Sequence, residues 1–260
     1  MNKKAIKLYC VLFFCLFSLQ MAAQVPDNEE LYRNKTQSDS LITIAEKVDT
    51  DTLIKVNDLR YREDQFYMNL TYNLLQSRPE GVSQNSFSAG FHFGFLRDMP
   101  INSKRTFAIA AGLGYSFNNY KQNLAISESN GIYSYQAIPD DVNFDKNKLA
   151  LHYIELPIEF RWRTSTVHNH KFWRVYTGVK LSYLAFSQSK YEAGDLHEYV
   201  KGNTDLNKFR YGAYLACGYN TWNFYAYYGL NPIFKSSAKM TDGKALDMSN
   251  LNVGLMFYIL

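Results

Sequence analysis

Cysteine is scarce, and its distribution excludes one means of stabilisation. Of three cysteines, Cys10 and Cys15 lie in an apolar amino-terminal stretch and Cys217 stands alone in the rest of the chain. Once that stretch is removed, no internal disulfide is possible. Long hydrophobic runs are missing too: after residue 23 no segment carries about 18 consecutive apolar residues, so the sequence offers no transmembrane helix. An excess of charge is also lacking. The chain has 28 basic and 24 acidic residues, and loss of Lys3, Lys4 and Lys7 with the amino-terminal stretch leaves 25 against 24. So nearly neutral a balance gives no reason to expect a nucleic-acid partner.

What the sequence does have begins with Asn2, Lys3, Lys4 and Lys7, followed by an apolar run from Leu8 to Leu19 and by Met21-Ala22-Ala23. This is the layout of a secretory signal peptide, with cleavage expected after Ala23. Residues 24–65 are polar and charged and read as a mostly flexible periplasmic leader. The remainder is rich in aromatics, which make up 16% of the whole chain with 21 Tyr and 18 Phe, while mean hydropathy is only −0.31. Strands that alternate between a lipid-facing and a lumen-facing residue give this combination, because the two faces average out. A soluble β-sandwich would share the composition, so the pattern must decide.

Period-2 alternation occurs eight times, near 66–74, 86–96, 106–118, 150–162, 173–186, 208–219, 222–232 and 249–259. In the first run Phe66, Met68, Leu70, Tyr72 and Leu74 oppose Tyr67, Asn69, Thr71 and Asn73; in the fourth Ile154, Leu156, Ile158, Phe160 and Trp162 oppose Tyr153, Glu155, Pro157, Glu159 and Arg161. The connections alternate between long and short, with the short ones at Arg97 to Arg105, Thr164 to Lys171 and Asn220-Thr221. Strands of this length, even in number and joined in this way, predict an all-β fold: an eight-stranded antiparallel up-and-down transmembrane β-barrel over 66–260, both termini in the periplasm. Trp162, Trp173 and Trp222 all fall on the apolar face beside short connections, where a membrane-interface girdle is expected.

Candidate sites follow from residues forced inward. Glu155, Glu159, Arg161, Arg174, Lys180 and Arg210 occupy polar faces, and an unpaired charge in so narrow a lumen is costly, so a salt-bridge network is expected. A turn centred between Val167 and His168 would set Glu155 opposite Lys180 and Arg161 opposite Arg174. The small inward faces of the second and third strands should give these groups room, and Pro157 should interrupt one ladder bond, with a bulge expected there. His152 faces outward with only Ala150 and Ile154 as same-face neighbours in its strand, so no nucleophile lies beside it there. His168-Asn169-His170 lacks the further ligands of a metal site, Asp140, Asp141 and Asp145 do not have EF-hand spacing, and Gly112-x-Gly114 sits inside a strand. No catalytic residue, cofactor, metal or small-molecule substrate is expected.

The stretch FHFGFLRDMPINSKRTFAIAAGLGYSFNNY at Phe91 to Tyr120, with YIELPIEFRWR at Tyr153 to Arg163, resembles the PorT-like outer-membrane barrels of Bacteroidetes. The resemblance implies a non-enzymatic accessory of type IX protein secretion, and in gliding species a part in motility. Its partners would be outer-membrane lipid and other secretion-system proteins of the outer membrane or periplasm. Tyr133, Tyr135 and Ile138 of the long third connection are candidate contact groups for such a partner. A surface adhesion or defence barrel working through its loops is the alternative, and a lipid-modifying enzyme a further one.

Overall fold

The computed structural model describes residues 64–84, 86–139, 141–164 and 172–259. The signal peptide, the leader up to residue 63, Asp140 and the His168-Asn169-His170 turn lie outside the described residues. Among the described residues there are eleven strands: β1 Gln65–Gln76, β2 Ala89–Pro100, β3 Phe107–Lys121, β4 Leu124–Ser129, β5 Ile132–Ala137, β6 Lys146–Arg163, β7 Trp173–Ala193, β8 Leu196–Lys201, β9 Phe209–Tyr219, β10 Trp222–Gly229 and β11 Ser249–Ile259. Eight of them form a closed ring in the order β6-β3-β2-β1-β11-β10-β9-β7, with β6 pairing β7 to complete it. Every pairing in the ring is antiparallel. β4 and β5 make a separate hairpin, and β8 pairs with the far end of β7.

The alternation explains the wall. Phe66 and Leu70 are 60% and 51% exposed, whereas Tyr67, Asn69, Thr71 and Asn73 on the same strand are buried. An apolar exterior over a polar interior inverts the usual soluble arrangement, and a bilayer suits it because the strands pair in a closed ring that leaves no free sheet edge. Lys208, just before β9 begins, is exposed.

Two expectations need correction. First, the β6–β7 register differs from the one assumed: Arg163 is opposite Arg174, Arg161 opposite Tyr176 and Pro157 opposite Lys180. The turn is centred one residue later than expected, and a strand pattern cannot specify that because a shift of two positions preserves both faces. Second, no bulge occurs at Pro157. The β6–β7 register shifts between His152 and Tyr153 instead. The missing donor of Pro157 is absorbed on the other side, where the β3–β6 ladder runs from Ala111↔Ile158 to Gly114↔Glu155 without the two rungs between.

The small inward faces of β2 and β3 do make room, chiefly for an aromatic ring. A Cβ on Gly114 would lie 2.0 Å from Oη of Tyr67, and one on Gly94 would lie 2.7 Å from its Cε1. Tyr67 thus occupies the space that this cross-strand glycine pair leaves open. The charged groups have a different floor: Ala108 and Ala110 of β3 are buried beside Arg161 and Glu159, their register partners.

Candidate functional site

Three layers of side chains fill the lumen between the short-turn end and the long-connection end. The lowest is ionic. Asp98 of β2 accepts from Arg161 Nη1 at 2.8 Å and from both terminal nitrogens of Arg163, at 3.1 and 2.8 Å. Arg161 Nε donates to Glu159 at 2.7 Å, and Tyr214 Oη donates to the other oxygen of Glu159 at 2.8 Å. The side chains of Asp98, Glu159, Arg161 and Arg163 are all shielded from solvent. The Arg161 guanidinium also lies 4.9 Å from the ring centre of Tyr176, and that of Arg174 lies 4.6 Å from Phe172 and 5.2 Å from Tyr258. Arg174 is held by aromatic faces more than by a carboxylate.

The middle layer centres on Glu155. Lys180 Nζ approaches one of its oxygens at 2.8 Å and His92 Nδ1 the other at 3.3 Å, while Lys180 also donates to Tyr225 Oη at 2.9 Å. Glu155 and Lys180 are not directly opposite, but the diagonal separation is still within reach of a long side chain. The upper layer is amide-rich: Asn73 and Asn252 both donate to Asn118 Oδ1, at 3.1 and 3.2 Å, Asn250 donates to Asn252, and Arg210 donates to Asn250 at 2.8 Å and to the Asn231 carbonyl. Between the middle and upper layers is a cavity about the size of one water molecule. Among the described residues the charged and amide side chains of these layers are packed away from solvent, unlike the lining of an open channel.

Of the residues singled out from sequence, Glu155 with Lys180, and Glu159 with Arg161, are brought together. Arg174 and Arg210 are not joined to either pair by an ion pair among the described residues. Sequence reasoning missed Asp98, Arg163 and His92. Asp98 was assigned to the turn starting at Arg97, yet β2 continues to Pro100, and the inward parity of His92, Gly94 and Leu96 leads directly to it. Trp162, Trp173 and Trp222 point outward, and Trp173 and Trp222 both flank Tyr219, on the neighbouring strand and across the tight turn respectively.

The largest unforeseen feature lies at the other end. The long connections do not spread into solvent but fold together over the barrel mouth. Leu75 and Val82, Leu124, Ile126 and Tyr135, Leu206, and Ile233, Phe234, Met240 and Met248 share one buried cluster with Tyr120, Leu149 and Leu151 of the strand ends. Tyr135 is fixed by hydrogen bonds to Asn203 and Asp205 and by an edge-on contact with Phe234, and its burial pushes the phenol pKa up. Tyr135 and Ile138 are thus interior to this cap and Tyr133 packs against it, which corrects their assignment as contact groups. Exposed apolar side chains are found at its edges, Ile132 at the β4–β5 turn, Leu196 beside the β7–β8 turn, and Val142. On the outer wall, His152 is hydrogen-bonded to Tyr115 Oη and flanked by Phe117 and Phe186.

A closed antiparallel ring with an apolar exterior and a filled polar interior defines a β-barrel of the outer-membrane class. The chain belongs to the family described as outer membrane protein beta-barrel domain, which it matches over residues 36–235. The protein is therefore an outer-membrane barrel. Among solved structures it is similar to Ail, the attachment invasion locus protein of Yersinia pestis, at 12% identity, covering 75% of this chain and 97% of that one with a TM-score of 0.32. A second structure of Ail, in complex with the heparin analogue sucrose octasulfate, is similar at 14% identity, covering 75% and 99% of the two chains with a TM-score of 0.29. No curated protein matches the sequence.

Proposed function

We propose that this barrel is a non-enzymatic surface protein that works by contact, as an adhesion or defence barrel, with the capped end outside the cell and both termini in the periplasm. The observation that carries the reading is the cap. A pore needs an open lumen and an enzyme needs a reactive constellation, whereas a recognition surface needs rigid loops, and the long connections here share a core of their own. Ordering four connections before any partner arrives removes an entropic cost from binding. Ile132, Leu196 and Val142 then supply apolar contact groups at the rim.

A second reading is the accessory role in type IX secretion, with or without gliding motility, through contacts to other secretion proteins. It is supported by the resemblance at Phe91 to Tyr120 and Tyr153 to Arg163. One strain set separates the two. An epitope inserted at Asn130-Gly131 is expected to be labelled on intact cells and one at Ser103-Lys104 only after permeabilisation. Deletion of the gene is expected to lower attachment to protein-coated surfaces several-fold, and complementation with Ile132→Asp plus Leu196→Asp to leave that defect in place. Normal attachment combined with loss of cargo secretion would transfer the assignment to the second reading. If neither property changes, both readings fail.

A further inference from the structure

Beyond the apolar wall, on the cap side, the register aligns lysines across three neighbouring strands. Lys121 of β3 is directly opposite Lys148 of β6, and Lys148 is directly opposite Lys190 of β7. All three alternate with buried residues, Tyr120, Leu149 and Ser189 among them, so they lie on the outer surface. The adjacent row toward the wall is Asn119, Ala150, Gln188 and Lys201, and the row beyond holds Lys146, Glu192 and His197. Below them come Phe117, His152 and Phe186, where the aromatic exterior begins.

Side chains directly opposed in a sheet have their Cβ atoms about 5 Å apart, and like charges so placed are destabilising. Three ammonium groups in one row accumulate that cost twice. The one acid in these three rows is Glu192, and it is already engaged by Lys146 at 3.5 Å, by Lys190 and by His197 at 3.7 Å. Lys121 and Lys148 have no carboxylate within ion-pair distance among the described residues, which leaves these two ammonium groups open to an anion from outside the chain.

Its height identifies that anion. Lys148 is fourteen residues along β6 from Trp162. At about 3.4 Å per residue and a tilt near 40°, this places it about 35 Å above the tryptophan, roughly 10 Å past an apolar band about 25 Å tall. That is the depth of headgroup phosphates. We propose that Lys121, Lys148 and Lys190 form a binding site for the phosphate of a lipid headgroup in the leaflet on the cap side, with the acyl chains lying against Phe117, His152, Phe186 and the wall below. An acidic protein would also meet the charge. The row, however, lies on the outward surface of the barrel strands themselves, where bilayer surrounds it whatever the cap engages.

The test uses the full barrel in neutral detergent, with native mass spectrometry and thermal melting as readouts. The probes are bisphosphorylated lipid A, the same lipid without phosphates, and inorganic phosphate. The phosphorylated lipid is expected to bind and raise the melting temperature, and the dephosphorylated lipid is not. Lys121→Gln, Lys148→Gln and Lys190→Gln together are expected to weaken binding about a hundredfold, the effect of three cations near an anionic surface. Without lipid the same variant should melt close to the wild type, because relief of the repulsion offsets the lost ion pair between Lys190 and Glu192. A control replacing Lys235, Lys239 and Lys244 of the cap by Gln should bind as the wild type does. Equal binding by the two triple variants would overturn the proposal, and equal stabilisation by inorganic phosphate would reduce the site to a free-anion site and overturn the lipid assignment. Should the triple variant not fold, Lys148→Gln alone carries the comparison, with a loss of several-fold expected.

Discussion

Asp98→Asn is expected to be among the most damaging single substitutions in this protein, costing about 3–5 kcal/mol of stability. Asp98 is the common acceptor for Arg161 and Arg163, and none of the three side chains is exposed. The amide keeps the shape and removes the charge, so two buried guanidiniums lose the carboxylate between them. Adding Arg163→Met to Asp98→Asn should recover a large part of the loss, because Arg161 still has Glu159 at 2.7 Å. The unfolding midpoint in urea, read by the heat-modifiable shift on gels, measures both variants. If Asp98→Asn unfolds with the wild type, the ionic layer contributes nothing to stability.

Removing either Glu155 or Lys180 is the second large effect. Lys180→Met leaves Glu155 with His92 as its one remaining ion-pair partner among the described residues, and Glu155→Gln leaves the Lys180 ammonium among Tyr214, Tyr225 and Tyr227. Each single variant should cost about 3–5 kcal/mol, and the double variant much less than the sum, since a buried pair replaced as a unit leaves no orphaned charge. Additive losses would mean that the two groups act independently, despite their separation of 2.8 Å.

The eight ring strands and their faces were legible because alternation is a local property that every residue repeats. The outward tryptophans were legible for the same reason. Glu155 and Lys180 were paired correctly from an inexact register, because shifting β7 by two positions leaves each on its face and within a side chain's length of the other. Asp98 was hidden by its neighbours: Pro100 and Asn102 signal a turn, and they masked a strand that carries on past the signal. The cap could not be read at all. Leu124 with Ile126, Leu206, and Phe234 with Met248 come from three different connections, and no period links them in sequence. Their association depends on the ring bringing four connections to one end.

That dependence sets an order of assembly. The cap core joins Leu75, at the end of β1, to Met248, one residue before β11, so some of its contacts span most of the barrel sequence. Contacts so distant form late, after the loop-closure entropy of the intervening chain has been overcome. β11 is also the strand that hydrogen-bonds β1 and seals the first half of the ring to the second. The last strand to be delivered therefore completes the cylinder and its lid together. Until it docks, the apolar residues of the connections are expected to remain open to water, and a chain halted at that point to display a surface that the finished molecule buries.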